Sequence, residues 1–463
     1  MAHWLRILPV LALCGCPAGV PQVTPDAAPG RPSVAPDGGL APASDGGADA
    51  PLFTWHRDLQ PLFYRRCQSC HRPGAIGPFD LSHYDQVVAL APMVEDAIVG
   101  RRMPPWKAGA DCNSYEGDIS LSDDEIGMVQ WWVADGMPEG DPSEAQPAPP
   151  FPEQALSRHD LILEPPEPYL PTRRPDDYRC FVLDWPETRR RFITGFEALP
   201  GDPQLVHHVI AFRISAAKRQ QILDRDEREP GLGYTCFGSP GVIEEEGTWW
   251  LGSWAPGFVL AGSVGAELPP GLGLAMEPGD TVVIQVHYNT TVLEPRPDRT
   301  RVAFMLEDEV EKPSRWLPFA DPDWIWGSEM PIPAGEADVR HEFQVDPTLF
   351  PPVSDGRPFL IHDVGLHMHL LGRSIRLEVL NQEGPPSCLL DVPDWDFNWQ
   401  PAARLAQPHL FRPGDQLRMA CQWDNSQANQ PSLNGEILSP QDQNWGDGTT
   451  DEMCLGLMLI STQ

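Results

Sequence analysis

The chain has 463 residues, 41% of them hydrophobic, enough for about three domains with real cores. Its 66 acidic and 33 basic residues give a formal net charge of -33, which excludes nucleic acid and anionic membrane surfaces as direct partners. The 54 prolines require linker or turn-rich β-structure over part of the length.

Taken in chain order, the first feature is a short apolar run from Leu5 to Leu13 beside Arg6, too short to span a bilayer. It ends in Leu13-Cys14-Gly15-Cys16, where a small residue before Cys16 and a Leu two further back form a lipoprotein-type cleavage site, with Cys14 the weaker candidate. Residues 1–16 are therefore expected to be an export signal. The mature chain should be periplasmic or at the cell surface, touching the membrane only through a lipid on Cys16. Residues 17–51 are rich in Pro, Ala and Gly and are expected to be a disordered tether.

A compact, mainly helical segment is expected over 52–141. Ser122 can cap a helix with Glu125 three residues on, and Trp131, Trp132 and Val133 continue its apolar side. A Pro-rich linker is expected over 142–158. Beyond it, short alternating runs such as Thr281 to Tyr288 and Gln416 to Gln422 follow Pro-Gly turns, the pattern of β-sandwiches. No later run is long and apolar enough for a membrane span.

Cys67-Gln68-Ser69-Cys70-His71 has the C-x-x-C-H spacing of covalent haem attachment: two thiols for the vinyl groups and an adjacent His for the iron. The opposite axial ligand is expected from Met103 in Arg102-Met103-Pro104-Pro105, with His83 and His56 as alternatives. His/Met ligation suits electron transfer.

Three histidine groups follow: His207-His208, His287, and His367-Met368-His369. Positions i and i+2 of a strand share a face, so His367 and His369 can grip one metal. Adjacent His207 and His208 would point to opposite faces unless the strand bulges there. Imidazoles with a thioether nearby suit copper. Export permits disulfides among Cys112, Cys180, Cys236, Cys388, Cys421 and Cys454.

Six strings in order carry a family resemblance: Tyr178-Arg179-Cys180, Val206-His207-His208, Gln285-Val286-His287-Tyr288, Ile332 to Glu336, His367 to Arg373, and Asp451-Glu452-Met453-Cys454. Residues from about 175 to 462 resemble the copper type II ascorbate-dependent monooxygenases, the family of dopamine β-monooxygenase and the peptidylglycine α-hydroxylating enzyme. The haem segment resembles the c-type cytochrome modules fused ahead of such cores in bacteria. The resemblance implies two jelly-roll sandwiches, over 159–312 and 313–463, behind a small all-α cytochrome domain. It implies two copper ions and one covalent haem c. His207, His208 and His287 would hold an electron-transfer copper; His367, His369 and Met453 would hold the copper that meets O2 and substrate. It also implies the pairs Cys421 with Cys454 and Cys180 with Cys236, and leaves Cys112 and Cys388 without partners. Gly365, Leu455 and Leu457 stand where the peptide-amidating enzymes carry their Arg, Asn and Tyr substrate anchors, which argues against a glycine-extended peptide.

The expected activity is hydroxylation of a C–H bond of a small-molecule or peptide-like substrate by O2. Ascorbate or another donor would supply electrons, with the fused haem as an internal relay to the His207/His208/His287 site. The rival readings are an exported copper and haem electron carrier without hydroxylase turnover, and an interaction module whose histidines are structural.

Overall fold

The structure is a computed structural model describing residues 51–463 except 74, 76, 148–155, 175, 237, 243–249, 255–266, 291–295, 398, 401, 434–435, 447, 449 and 463. The expected export signal, the Cys16 anchor, nearly all of the tether and the middle of the expected linker lie outside the described residues. The described part is mostly β-sheet with few helices, and none of its helices is long and apolar enough to cross a membrane.

Three helices come first: α1 (Gln60–Arg66), α2 (Tyr84–Val99) and α3 (Asp123–Ala134). At the start of α3, Glu125 N donates to Ser122 Oγ at 3.2 Å and Ser122 N donates to Glu125 Oε2 at 3.0 Å. The two bonds satisfy end donors that the helix cannot. The helix buries Ile126, Val129 and Trp132. Trp131 and Val133 are only half-buried, because adjacent helix positions point about 100° apart. Trp132 packs near Trp55, which makes an edge contact with Phe63 of α1, closing a small core of its own.

The strands of the first half are β1 (Leu161–Leu163), β2 (Asp176–Asp184), β3 (Arg191–Leu199), β4 (Val206–Ile214), β5 (Tyr234–Thr235), β6 (Trp250–Trp254), β7 (Leu272–Met276), β8 (Thr281–Asn289) and β9 (Arg301–Glu307). Those of the second are β10 (Lys312–Phe319), β11 (Val339–Val345), β12 (Phe359–His367), β13 (Gly372–Leu380), β14 (Ser387–Val392), β15 (Ala402–Phe411), β16 (Gln416–Trp423), β17 (Ser432–Leu433), β18 (Glu436–Ile437) and β19 (Leu455–Thr462).

The two sandwiches share a sheet. Its order is β1-β9-β3-β7-β10-β19-β12-β15, and the halves join where β10 runs parallel to β7, with Lys312 opposite Leu272. A five-stranded sheet, β5-β2-β8-β4-β6, covers the first half, and a four-stranded sheet, β11-β16-β13-β14, covers the second. Strand alternation lets the shared sheet serve both cores. Trp316 and Leu459 enter the first core, while their neighbours Leu317, Met458 and Ile460 enter the second. Each such side chain removed from water contributes roughly 1.5–3 kcal/mol. The end of the expected linker already belongs to the first half: Leu156 is buried beside Ala303 and Met305.

The helical segment is tied to the second sandwich. Cys112 and Cys388, left unpaired by sequence, form a disulfide across 276 residues. Beside it, Tyr115 bridges Leu405 antiparallel, extending the free edge of β15. Ala406 N donates to Ser114 O at 2.9 Å and Glu116 N donates to Arg404 O at 2.9 Å. Tyr115 is buried in the second core, with its hydroxyl on Leu389 O at 3.1 Å. The helical segment precedes the first sandwich in the chain, yet these contacts join it to the second.

Candidate metal centres

His207 and His208 open β4, and His287 lies near the end of β8. The β4–β8 register shifts between Val206, opposite Tyr288, and His208, opposite His287, so His207 is an extra, bulged residue. The bulge turns two adjacent side chains toward one point. His208 Nδ1 lies 3.4 Å from His207 Nδ1 and 3.3 Å from His287 Nδ1. One nitrogen from each ring lies within 4.8 Å of the others, the span of a three-imidazole metal cage.

Strand β2 supports this cluster from the other side. Tyr178 is the cross-strand partner of His287, and their rings stack at 4.0 Å with planes 7° apart. Two residues earlier on the same face, Asp176 Oδ1 lies 2.8 Å from His287 Nε2. That contact places a proton on Nε2 and leaves the Nδ1 lone pair for a metal. Burial, with His287 nearby, lowers the His207 pKa to about 4. Burial likewise holds His208 well below the usual imidazole range, with smaller contributions from His287, His207 and His367. The His207 and His208 rings are thus neutral, as metal ligands must be.

The second group is built differently from the strand alternation expected. Strand β12 ends at His367, so His369 lies in the turn before β13 and Met368 is buried in the second core. The His367 and His369 rings nevertheless meet at 4.9 Å, nearly perpendicular. His367 Nδ1 lies 2.7 Å from Gln400 Oε1, and His369 Nδ1 lies 3.0 Å from Asp451 O. Both contacts leave Nε2 as the outward lone pair. Burial lowers both pKa values, that of His369 to about 3. His367 is paired with Leu455 across β12 and β19. Met453, two residues before Leu455, is buried.

Glu452 organises this turn. Its carboxylate accepts from His369 N at 3.1 Å, Leu371 N at 2.6 Å and Trp423 Nε1 at 2.8 Å. Burial raises its pKa to about 7 against these bonds. Cys454, next to Met453, is bonded to Cys421, and Cys180 of β2 is bonded to Cys236, the two pairs that the resemblance implied. Asp176, Gln400 and Glu452 had no assigned role in the sequence. The available signal for Asp176 was its place two residues before Tyr178; Gln400 offered none.

In the helical segment, Cys67 follows α1 directly, and Cys67 and Cys70 are free thiols. Burial pushes the Cys67 thiol up to about 12 and also raises Cys70. The buried His71 stacks on Phe79, and its Nδ1 lies 3.2 Å from Phe79 O. A carbonyl on Nδ1 leaves the Nε2 lone pair free, so two thiols and one imidazole of this segment could hold a haem. Met103 is half-buried in the turn after α2, and His83 stands immediately before that helix without a side-chain capping bond. His56 lies 3.4 Å from Glu139.

No protein-family profile matches the chain. It is similar to DBH-like monooxygenase protein 1 of Homo sapiens, at 26% identity over 271 residues, covering 56% of this chain and 40% of the relative. The protein of that name from Gallus gallus is 26% identical over 293 residues, covering 61% and 44%, and that from Mus musculus 25% over 271 residues, covering 56% and 40%. This distant homology supports a DBH-like monooxygenase family. The chain spans less than half the length of these relatives. Among solved structures, the major capsid protein P2 from bacteriophage PM2 aligns at 9% identity with a TM-score of 0.26 over 65% of this chain and 97% of that one, too slight a likeness to carry an argument.

Proposed function

We propose that the chain is an exported copper-dependent monooxygenase that hydroxylates a C–H bond with O2. The observation that carries this reading is the three-imidazole cluster of His207, His208 and His287, with Asp176 fixing one ring, in a chain distantly homologous to DBH-like monooxygenases. Those three Nδ1 atoms would hold one copper, and His367, His369 and Met453 a second. Bound copper would supply the one-electron redox steps and the oxygen chemistry. The overall balance is R–H, O2, two electrons and two protons giving R–OH and water.

The side chains around the ligands have separate tasks. Asp176, Gln400 and the Asp451 carbonyl hold ring protons at the nitrogens facing away from the metal positions. Glu452 holds the His369 and Leu371 amides, which keeps the ligand turn in place when the site loads. Residues 52–141 would act in this reading as a c-type cytochrome module, in which Cys67 and Cys70 would attach a haem and His71 and Met103 would ligate its iron. The haem, ascorbate or another donor supplies the electrons.

Copper and haem quantitation on purified protein, followed by a substrate screen under reduced conditions with O2, tests the reading. Two coppers, one haem and a hydroxylated product are expected. A copper-replete protein that consumes O2 without any hydroxylated product would favour an electron carrier instead.

A further inference from the structure

We infer that residues 104–116, which follow Met103, are a strap that positions the His367/His369 site through Trp395, so that the helical segment and that site are energetically coupled. The strap's contacts stand by themselves; what they position rests on the reading of His367, His369 and Met453 as a metal site.

The strap closes one side of the second sandwich. Strand β14 ends the four-stranded sheet and β15 ends the eight-stranded one, so each has an edge without a strand neighbour. The strap supplies partners to both. Along β14, Gly109 N donates to Asp391 O at 2.8 Å, Asn113 Nδ2 to Cys388 O at 2.9 Å and Tyr115 Oη to Leu389 O at 3.1 Å. Along β15, it adds the antiparallel bridge of Tyr115 with Leu405. Trp106 packs against the second core, its ring edge-on to that of Tyr115 at 5.9 Å.

The connection from β14 to β15 is also what holds the two histidines. Lys107 Nζ grips its start, 2.9 Å from Asp394 Oδ2. The next residue, Trp395, is buried against the ligand turn. Its Nε1 donates to His369 O at 3.0 Å, shorter than the 3.4 Å bond to the same oxygen from Gly372 N, and its N donates to Arg373 O at 2.9 Å. A Cβ on Gly372 would come within 2.7 Å of the indole, so the turn rests directly on that ring. Gln400, on the same connection, meets His367 Nδ1. Both imidazoles therefore hang from a connection whose two flanking strands the strap joins. The three-imidazole cluster is supported instead by β2 and should not feel the strap. Linkage is reciprocal: if the docked strap favours metal at His367 and His369, metal there must hold the strap docked by the same factor.

Copper(I) titration of the full chain against a chelator, without thiols so that the disulfides persist, measures both site affinities, with His367→Ala marking the first site alone. Trp395→Phe should weaken the second site about 10-fold and leave the first unchanged. In a Cys112→Ser background, Lys107→Met should weaken the second site roughly 3-fold further, and Lys107→Arg should not. Both sites should still fill at saturating copper. Hydrogen exchange read by mass spectrometry supplies the reciprocal measurement. Filling the second site should slow exchange of the 107–116 amides several-fold, and His367→Ala loaded at its first site should show no slowing. Second-site affinity unchanged in Trp395→Phe and in the Lys107→Met variant would overturn the inference and leave the monooxygenase reading standing, as would strap exchange indifferent to copper. Copper held by wild type on the three imidazoles alone would overturn the inference and the two-copper reading together.

Discussion

Asp176 Oδ1 lies 2.8 Å from His287 Nε2, and this contact decides which nitrogen of His287 faces its two histidine neighbours. The carboxylate fixes the tautomer and orientation of the ring, so it should matter to metal affinity although it touches no metal. Asp176→Ala is expected to weaken copper binding at the first site about 10- to 100-fold, with the second site unchanged. Competition against a chelator of known affinity measures this, with circular dichroism confirming the fold.

The second site should be separable from the first. His367→Ala or Met453→Ala should each lower copper from two ions per chain to one under conditions that saturate the other site. The remaining ion should keep an all-nitrogen environment in X-ray absorption. Loss of both ions from a folded variant would contradict the partition.

The helical segment should carry one covalent haem when matured in an exporting host. Cys67→Ala or Cys70→Ala should abolish the two-bond attachment, and Met103→Ala should keep the haem attached while changing its ligation and lowering its potential. Visible spectra of the reduced protein report both. A spectrum unchanged in Met103→Ala would move the axial role to His56 or His83.

Cys112→Ser should loosen the helical segment from the second sandwich. Tyr115 and the backbone pairing with β15 remain, so the segment should dock less firmly without being released. A disulfide closing so long a loop contributes about 2–4 kcal/mol. The expected readout is faster limited proteolysis between 100 and 122, with the copper stoichiometry retained.

Stability should fall in mild acid through His362. Its Nε2 lies 2.8 Å from Ser461 Oγ, and burial lowers its pKa to about 4. The unfolded imidazole takes up its proton near 6.5, so the neutral folded form is favoured in full above that value. That contribution is lost as the pH falls from about 6.5 toward 4. Urea unfolding at pH 7.5 and 4.5 should show wild type losing about 2 kcal/mol more than His362→Gln.

How far the sequence could be read depended on the range of the interaction. The strand of His287 and the α3 capping box rest on neighbours within a few residues, and both are found. The bulge at His207 depends on how β4 pairs with β8, about 80 residues away, so the sequence could state only that one was needed. The alternation argument for His367 and His369 assumed a strand that in fact stops at His367, where Glu452 captures the next turn. The sharing of one sheet by both sandwiches and the pairing of Cys112 with Cys388 leave no local trace, because periodicity identifies a strand and not its partner.

The most direct test of the central claim is a turnover experiment under 18O2 with copper-replete, reduced protein and a panel of small-molecule and peptide-like compounds. Mass spectrometry of the products is the measurement. One labelled oxygen atom per product molecule, lost in His367→Ala, is the expected result. Oxygen consumed with hydrogen peroxide as the sole product across the panel, from protein holding two coppers per chain, would contradict it.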